Sequence, residues 1–395
     1  MRLKEDIYNY ASKLATSIKG IRASDIDQES KSAILEFYQD YLAQGYSPAR
    51  KLKYLTMLKS ISLQLGKPFQ SATRQDIARW VAKLESANYS EWTKRDYKVV
   101  LKIFFRWLKQ SETYPSEVDW IKANRARNHT LPEQLITEDE VKQIAESANH
   151  PRDKAFVLVL YESGCRIGEI LSLAIKNVEF DEYGCVLLVD GKTGQRRVRV
   201  IASAPKLASW IDNHPLRDQP DAPLWVNLGA KNRRQALTYG GAKSILKEIV
   251  DRAGIKKRVY PHLFRHSRAT HLANHLTESQ LKQHFGWIQG SSMASVYVHL
   301  SGRDVDRALL ELNGINVSKE KETEKFKAID CPRCKNRNSP ISKFCSSCGL
   351  ALDVKTAIEA DETRRRADKL ITELIKEPRV IDVLMEAIER VRSRA

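Results

Sequence analysis

The chain has 395 residues and a mass of 45.1 kDa, with 42% hydrophobic and 29% charged residues, too long for one ordinary core. Lys and Arg number 66 against 49 Asp and Glu, and the formal net charge of +17 points to a polyanionic partner, whether DNA, RNA or an acidic surface. No apolar run nears the ~18–20 residues that span a bilayer. The opening MRLKEDIYNYASKL lacks the apolar centre of a signal peptide, and six cysteines are too few for a disulfide scaffold, so the chain reads as cytoplasmic, reduced and without a membrane contact.

Residues 1–120 read as helices joined by short turns. Ile34, Leu35, Phe37, Tyr38, Tyr41 and Leu42 recur at helical spacing. Ser47-Pro48 opens the next helix, and Leu52, Tyr54, Leu55, Leu58, Ile61 and Leu65 line one side of it. Thr73 and Asp76 stand three apart, close to a capping box, before Ile77, Trp80, Val81 and Leu84. Ser90 caps a long helix bearing Trp92, Tyr97, Val100, Leu101, Phe104, Phe105, Trp107 and Leu108. Residues 121–136, with three basic residues, two Asn and a Pro, break the periodicity and read as a linker.

The capping box Thr137-Glu138-Asp139-Glu140 opens a second, mixed domain over 137–313. A helix at 153–163 is followed by Gly164 and a helix at 166–174. Two β-rich runs, Cys185 to Val189 and Arg197 to Ile201, flank the turn Asp190-Gly191-Lys192-Thr193-Gly194. More helices follow Tyr239. The charged stretch 314–330 reads as a second linker, before a Cys-rich unit at 331–350 and C-terminal helices at 351–395, split at Pro378. The fold class expected is mainly α with a small β-sheet.

The sharpest local motif is Cys331-Pro-Arg-Cys334 followed, after ten residues, by Cys345-Ser-Ser-Cys348-Gly349. Two CxxC turns present four thiolates, which suits a tetrahedral structural zinc site with no open position for catalysis. The alternatives are two disulfides or a redox pair. A second cluster is Pro261-His262-Leu263-Phe264-Arg265-His266, where His262 and Arg265 share a helix face. An Arg clamps two phosphate oxygens and an imidazole moves a proton, though surface residues or a helix cap fit the same motif. Arg166 stands at a helix start, Lys192 at a hairpin tip, Trp287 in Phe-Gly-Trp and Tyr297 in Ser-Val-Tyr-Val-His. Two Arg, a Lys, a His, a Trp and a Tyr in this order suit phosphodiester chemistry. Each also has a plain reading: Arg166 as a surface residue, Lys192 as a solvated turn, Trp287 as core, and Tyr297 as one buried Tyr beside the rivals Tyr161, Tyr239 and Tyr260.

With these motifs in order, the sequence resembles the tyrosine recombinases of the phage-integrase family, and among them the archaeal integrases. LYESGCRIGEILSL matches the first Arg motif through Arg166, and GKTGQRRVRV the Lys-bearing turn through Lys192. HLFRHSRATHLA matches the HxxR motif through His262 and Arg265, HFGW the Leu-Gly-His stretch, and SVYVHL the nucleophile motif through Tyr297. The helical domain resembles the family's SAM-like core-binding domain, so the resemblance covers about residues 30–312. Trp287 stands where most members have His; an indole N–H still donates to phosphate. The interval from Trp287 to Tyr297 is one residue longer than usual, which predicts a bulged turn. The zinc-ribbon-like tail lies outside the family pattern and inherits no family role.

The resemblance implies a site-specific recombinase that cuts and rejoins duplex DNA through a 3′-phosphotyrosyl link, with no catalytic cofactor and no ATP. Tyr297 would attack the phosphate, Arg166 and Arg265 stabilise the charge, Lys192 protonate the leaving 5′ oxygen, His262 help accept the tyrosine proton, and Trp287 hydrogen-bond the phosphate. A non-catalytic DNA-binding relative and a nicking-closing topoisomerase share parts of this pattern. Glu169, one turn beyond Arg166, is read as orienting a cation or as plain structure, and His266, His271 and His299 as structural or supporting residues.

The partner implied is double-stranded DNA, held through phosphates. Candidates for its grip are Arg50, Lys51, Lys53, Lys94, Arg95 and Lys98, then Arg125 and Arg127 in the linker, and Lys231, Arg233 and Arg234 in the second domain. The charge supports this: it divides as +9 over 1–130, +4 over 131–317 and +4 over 318–395, and residues 231–268 hold eleven Lys and Arg against two acids. Val380, Val383, Leu384, Ala387, Ile388 and Val391 form an amphipathic end that needs a partner face, either the zinc unit or, as family members exchange C-terminal helices, a neighbour in a tetramer on DNA.

Overall fold

The computed structural model describes residues 6–123, 134–191, 193–230, 233–300, 313 and 326–377, with 379–381, 383, 386 and 388 beyond them. The chain separates into two compact units, Met1–Leu131 and Pro132–Ala395.

The first unit is helical among its described residues: α1 (Tyr10–Arg22), α2 (Gln28–Ala43), α3 (Pro48–Leu65), α4 (Arg74–Ser86) and α5 (Glu91–Leu108). Side chains set most of the starts. Asp27 accepts from Ser30 N at 2.7 Å, Ser90 from Thr93 N at 3.2 Å, and Thr73 and Asp76 form a complete capping box. The core is aromatic: Phe37 meets Phe104 edge-on at 5.3 Å, and Phe104 meets Phe69 at 4.8 Å.

The second unit begins with α6 (Glu138–Glu146), closed by the Thr137–Glu140 capping box, and α7 (Pro151–Ser163). Helix α7 is buried from Ala155 to Ser163 and packs against α6, α9 (Ala204–Asp212), α11 (Pro261–Ala273) and the strand Gly194–Val200. Helix α8 spans only Ile167–Leu171, shorter than the 166–174 expected, with Arg166 as its N-cap. A three-stranded antiparallel sheet, β1 (Val178–Asp181), β2 (Gly184–Gly191) and β3 (Gly194–Val200), follows in sequence order. The strands run further into the turn than the sequence suggests, so Gly191 pairs with Gly194. Strand β1 is an addition: it is short and mostly exposed, and so carries no apolar alternation. The buried Glu162 carboxylate fastens the end of β3 to α7, accepting from Ile201 N (2.7 Å), Ala202 N (2.9 Å), Ser203 N (2.7 Å) and Ser203 Oγ (2.6 Å). That bond set fixes the hairpin relative to the central helix.

Helices α10 (Tyr239–Arg252), α11, α12 (Glu278–Phe285) and α13 (Met293–Leu300) complete the fold, with α11, α12 and α13 in mutual contact. Further on, β4 (Ile329–Asp330) pairs with β5 (Arg337–Asn338) beside the cysteines, and α14 spans Val354–Leu374. Helix α14 leaves Val354, Ile358, Leu370 and Ile371 exposed, and beyond it Ile381, Val383 and Ile388 are exposed too. Leu384, Ala387 and Val391 of the expected amphipathic end lie outside the described residues. No helix among the described residues is long and apolar enough to cross a membrane.

Candidate active site

Arg166 stands where α7 turns into α8. Its backbone N–H and Nη1 reach the two Glu169 oxygens at 2.8 and 2.9 Å, and its Nη2 reaches Gly286 O at 3.5 Å. Its side chain keeps about a third of its surface open, so the fork is held yet reachable. Glu169 is 4% exposed and is shared: Arg196 on β3 donates to its two oxygens at 3.1 and 2.8 Å. Burial alone would raise the Glu169 carboxyl, but the hydrogen bonds and charges of Arg196 and then Arg166 outweigh it and hold the pKa at about 2. Arg196 also donates through Nε to His284 O at 3.0 Å, so one guanidinium ties the hairpin to α8 and to the end of α12.

Arg265 is 3% exposed on α11. It donates to Gly164 O at 2.9 Å and Phe285 O at 2.7 Å, and lies 5.0 and 5.5 Å from the rings of Phe285 and Trp287. Burial brings its pKa down to about 10, with the nearby Arg166 charge in the same direction. Gly164 needs its missing side chain: its φ is +56° and a Cβ would stand 2.5 Å from Phe285 Cε1. Gly286 (φ +60°) is equally constrained, since a Cβ would meet Arg196 Nη1 at 2.9 Å and Thr193 Oγ1 at 3.2 Å.

Tyr297 on α13 is 3% exposed. Its ring lies parallel to Trp287 (1°, centroids 5.4 Å apart), and its hydroxyl meets His266 Nδ1 at 2.5 Å. Burial raises the phenol to about 12, against the opposing pull of Arg265. The His262 and His266 rings are 5.0 Å apart. His262 is exposed on one side and crowded on the other; that desolvation, then the charges of His266, Arg265 and Arg166, lower its pKa to about 4. The turn from Trp287 to α13 is closed by Ser291 N to Ile288 O at 2.9 Å and Lys282 Nζ to Gln289 O at 2.8 Å.

The structure thus gathers Arg166, His262, Arg265, Trp287 and Tyr297 into one cluster. Lys192 lies outside the described residues; its neighbour Thr193 donates to Gly286 O at 3.2 Å, so the hairpin end adjoins the Gly-Trp turn. Two further residues join the cluster: Arg196, which the sequence reading does not single out, and His266, which it reads as structural or supporting. Arg196 is hidden in the run Gln-Arg-Arg-Val-Arg, yet strand alternation places it with buried Val198 and Val200, apart from exposed Arg197 and Arg199. His266 meets Tyr297 across 31 residues, which no local spacing announces.

The proposed phosphate contacts are spread over surfaces. Arg50 is exposed and lies 5.0 Å over the Tyr46 ring. Lys53 pairs with Asp96 at 2.6 Å, Lys94 with Glu91 at 3.1 Å, Arg95 weakly with Asp96 at 3.9 Å, and Lys98 with Glu85. Arg233 and Arg234 are exposed. Lys51 requires a correction. It is 8% exposed and lies beside Phe37, Tyr41 and Tyr54, because position 51 falls on the same helical stripe as Tyr54, Leu55 and Leu58. Arg125, Arg127 and Lys231 lie outside the described residues.

The four cysteines form a second centre. All four sulfurs lie within 4.8 Å of one another, with Cys331–Cys348 at 3.6 Å and Cys334–Cys345 at 3.5 Å. Those edges are too long for disulfides (~2.05 Å) and near the ~3.8 Å edge of a tetrahedron with ~2.3 Å metal–sulfur bonds. The two turns repeat one geometry. Lys335 N donates to Cys331 O at 2.9 Å and Gly349 N to Cys345 O at 3.0 Å, and Lys335 and Gly349 both have positive φ, 59° and 71°. The set fits a tetrahedral metal ion.

Residues 134–303 match the phage integrase family, and residues 34–112 match its N-terminal SAM-like domain. The tyrosine recombinase XerA of Pyrococcus furiosus is 30% identical over 289 residues, which cover 72% of this chain and 95% of that protein. The chain belongs to the phage integrase family. It is therefore a tyrosine-type site-specific recombinase, an enzyme of DNA strand breakage and rejoining. A tyrosine recombinase of Thermosipho africanus is 27% identical, over 71% of this chain and 99% of its own length. Two solved structures share the fold. One is the Tn1549 transposon integrase in complex with transposon right-end DNA (TM-score 0.56, 17% identity, 71% of this chain and 99% of that one). The other is the XerH recombinase bound to its difH substrate after cleavage (TM-score 0.54, 18% identity, 80% and 98%). The four-Cys unit lies beyond both family matches.

Proposed function

We propose that Tyr297 is the nucleophile that breaks a strand of duplex DNA, and that the surrounding cations do the work a phenol of raised pKa cannot do alone. The observation that carries this reading is the placement of the Tyr297 hydroxyl in one cluster with Arg265, Arg166 and two imidazoles. Arg265 spends two N–H groups on carbonyls and has others left over; Arg166 is pinned by Glu169. Both forks are thus set before substrate arrives, which is what stabilises charge developing on non-bridging phosphate oxygens. Lys192 protonates the leaving 5′ oxygen, and Trp287 donates its indole N–H to the phosphate. The product is a 3′-phosphotyrosyl link and a free 5′ hydroxyl; attack by a second strand's 5′ hydroxyl reverses the step.

The recombinases of like fold solved on DNA support duplex DNA as the partner. Two chains on each of two duplexes would form a tetramer, with the exposed apolar residues after α14 as the subunit contact. The reaction takes place in the cytoplasm, where thiolates stay reduced. Cys331, Cys334, Cys345 and Cys348 hold one zinc ion, a structural one, since four protein ligands leave no open position.

Tyr297→Phe is expected to abolish covalent attachment to a nicked suicide duplex while binding is retained. A covalent adduct in that variant would sink the assignment. Zinc is expected at about one equivalent per chain by elemental analysis and to be lost from Cys331→Ser/Cys334→Ser; a folded, metal-free tail would refute it.

A further inference from the structure

We propose that His266, and not His262, is the base that takes the proton from Tyr297, and that His262 instead faces the phosphate. The inference rests on Tyr297 being the nucleophile. Its ground is geometric. His266 Nδ1 is already at hydrogen-bond distance from the Tyr297 hydroxyl, 2.5 Å. The phenol ring lies parallel to the Trp287 ring, with centroids 5.4 Å apart. His262 sits one helical turn earlier on α11, exposed and near the Arg166 charge, which suits a donor to an anion.

The environment of His266 favours the neutral ring. Burial first, and then the Arg265 charge, lower its pKa, so at pH 7 it is unprotonated. The titratable and charged groups facing it are Tyr297 from α13, and His262 and Arg265 from its own helix; Tyr260 lies close to Tyr297, and Arg166 faces His262. Both causes of the shift, burial and the Arg265 charge, act against the imidazolium, so the ring meets the phenol as a base. In the step itself, the Tyr297 Oη–H proton passes to Nδ1, the Oη–P bond forms and the P–O5′ bond breaks. The 5′ oxygen takes a proton from Lys192 or water. On rejoining, the imidazolium returns its proton to the departing tyrosine oxygen.

The test uses the full chain and a nicked suicide duplex carrying the site recovered from DNA that the chain binds in cells. His266→Gln and His266→Asn are expected to slow adduct formation about 10²–10³-fold at pH 7, with duplex affinity and melting temperature little changed. Below the His266 titration the wild-type rate falls as the ring protonates. In the variants that limb disappears, and the rate climbs with pH instead. Replacing Tyr297 by a more acidic fluorotyrosine restores at least about tenfold of the lost rate in His266→Gln, because a weaker base then suffices; a purely structural histidine would not be bypassed in this way. In the unmutated chain, ¹⁵N shifts of the His266 ring are expected to show Nδ1 unprotonated at pH 7. A protonated Nδ1, a wild-type rate and pH profile in His266→Gln, or loss of the acid limb in His262→Gln alone would overturn the assignment. If Tyr297→Phe still forms the adduct, the nucleophile itself is wrong; if only the His266 variants behave as wild type, the nucleophile stands and the base assignment fails.

Discussion

Lys53, Lys94 and Lys98 of the helical unit meet carboxylates that stand open to solvent, Asp96, Glu91 and Glu85 at 31%, 69% and 43% exposed, whereas Arg265 and Arg196 of the second unit meet carbonyls and the 4% exposed carboxylate of Glu169. The chemistry of the two arrangements differs. A surface pair is worth about 0–1 kcal/mol and can be exchanged for a phosphate at little loss. A buried guanidinium with fixed partners is expensive to place, and breaking its partner leaves an uncompensated charge. The first arrangement suits a grip that forms and releases with salt. The second suits a site whose charges must already be oriented when a transition state forms.

The sharpest way to break the contrast is at Arg265. Arg265→Lys keeps the charge but loses the planar fork and at least one of the two carbonyl bonds. The rate of adduct formation is expected to fall about 10²–10³-fold while affinity for duplex changes little. An equal loss of both would place Arg265 with the gripping residues instead.

Glu169 probes the same interior through stability. Glu169→Gln leaves Arg166 and Arg196 facing a neutral amide and is expected to cost about 3 kcal/mol, read as a lowered urea midpoint at unchanged slope. The pH dependence has a definite sign. The carboxyl sits at about 2 in the folded chain against an ordinary 4.5. Its contribution is therefore complete above about pH 4.5 and is lost as pH falls toward 2. The gap between wild type and variant should be full at neutral pH and close on acidification; a gap that stays constant would mean the ion pairs are not its origin.

Local chemistry was legible in the sequence where it is short-ranged. Both boxes, Thr73–Asp76 and Thr137–Glu140, announce their helices because the bonds close within three residues. Helical spacing marks the α3 stripe, and read through to position 51 it would also have placed Lys51 inside. The four thiols lie close together because two CxxC turns need only one short loop between them. What stays hidden is long-range or masked by composition. Strand β1 has no alternation, Arg196 sits among three arginines, and the His266–Tyr297 contact exists only after α11 and α13 pack. The motif order marks which residues belong to one site, but not which imidazole faces which atom.

The smallest expected effect sharpens the surface half of the comparison. Lys53 and Lys98 both stand on the helical unit, each already paired to a carboxylate. If they turn to phosphate in the complex, each contact releases condensed counterions, and the slope of log affinity against log salt contains about 0.9 per contact. Lys53→Ala/Lys98→Ala is then expected to flatten that slope by about 1.8. It should weaken binding at low salt, to a similar degree on specific and unrelated duplexes, because phosphates carry no sequence. Folding stability should fall by no more than about 2 kcal/mol, up to about 1 kcal/mol for each of the two pairs, and the single-turnover cleavage rate of fully bound substrate should not move. A selective loss on the specific site would make these lysines readers of sequence, and a fall in cleavage at saturation would tie the surface charge to the interior after all.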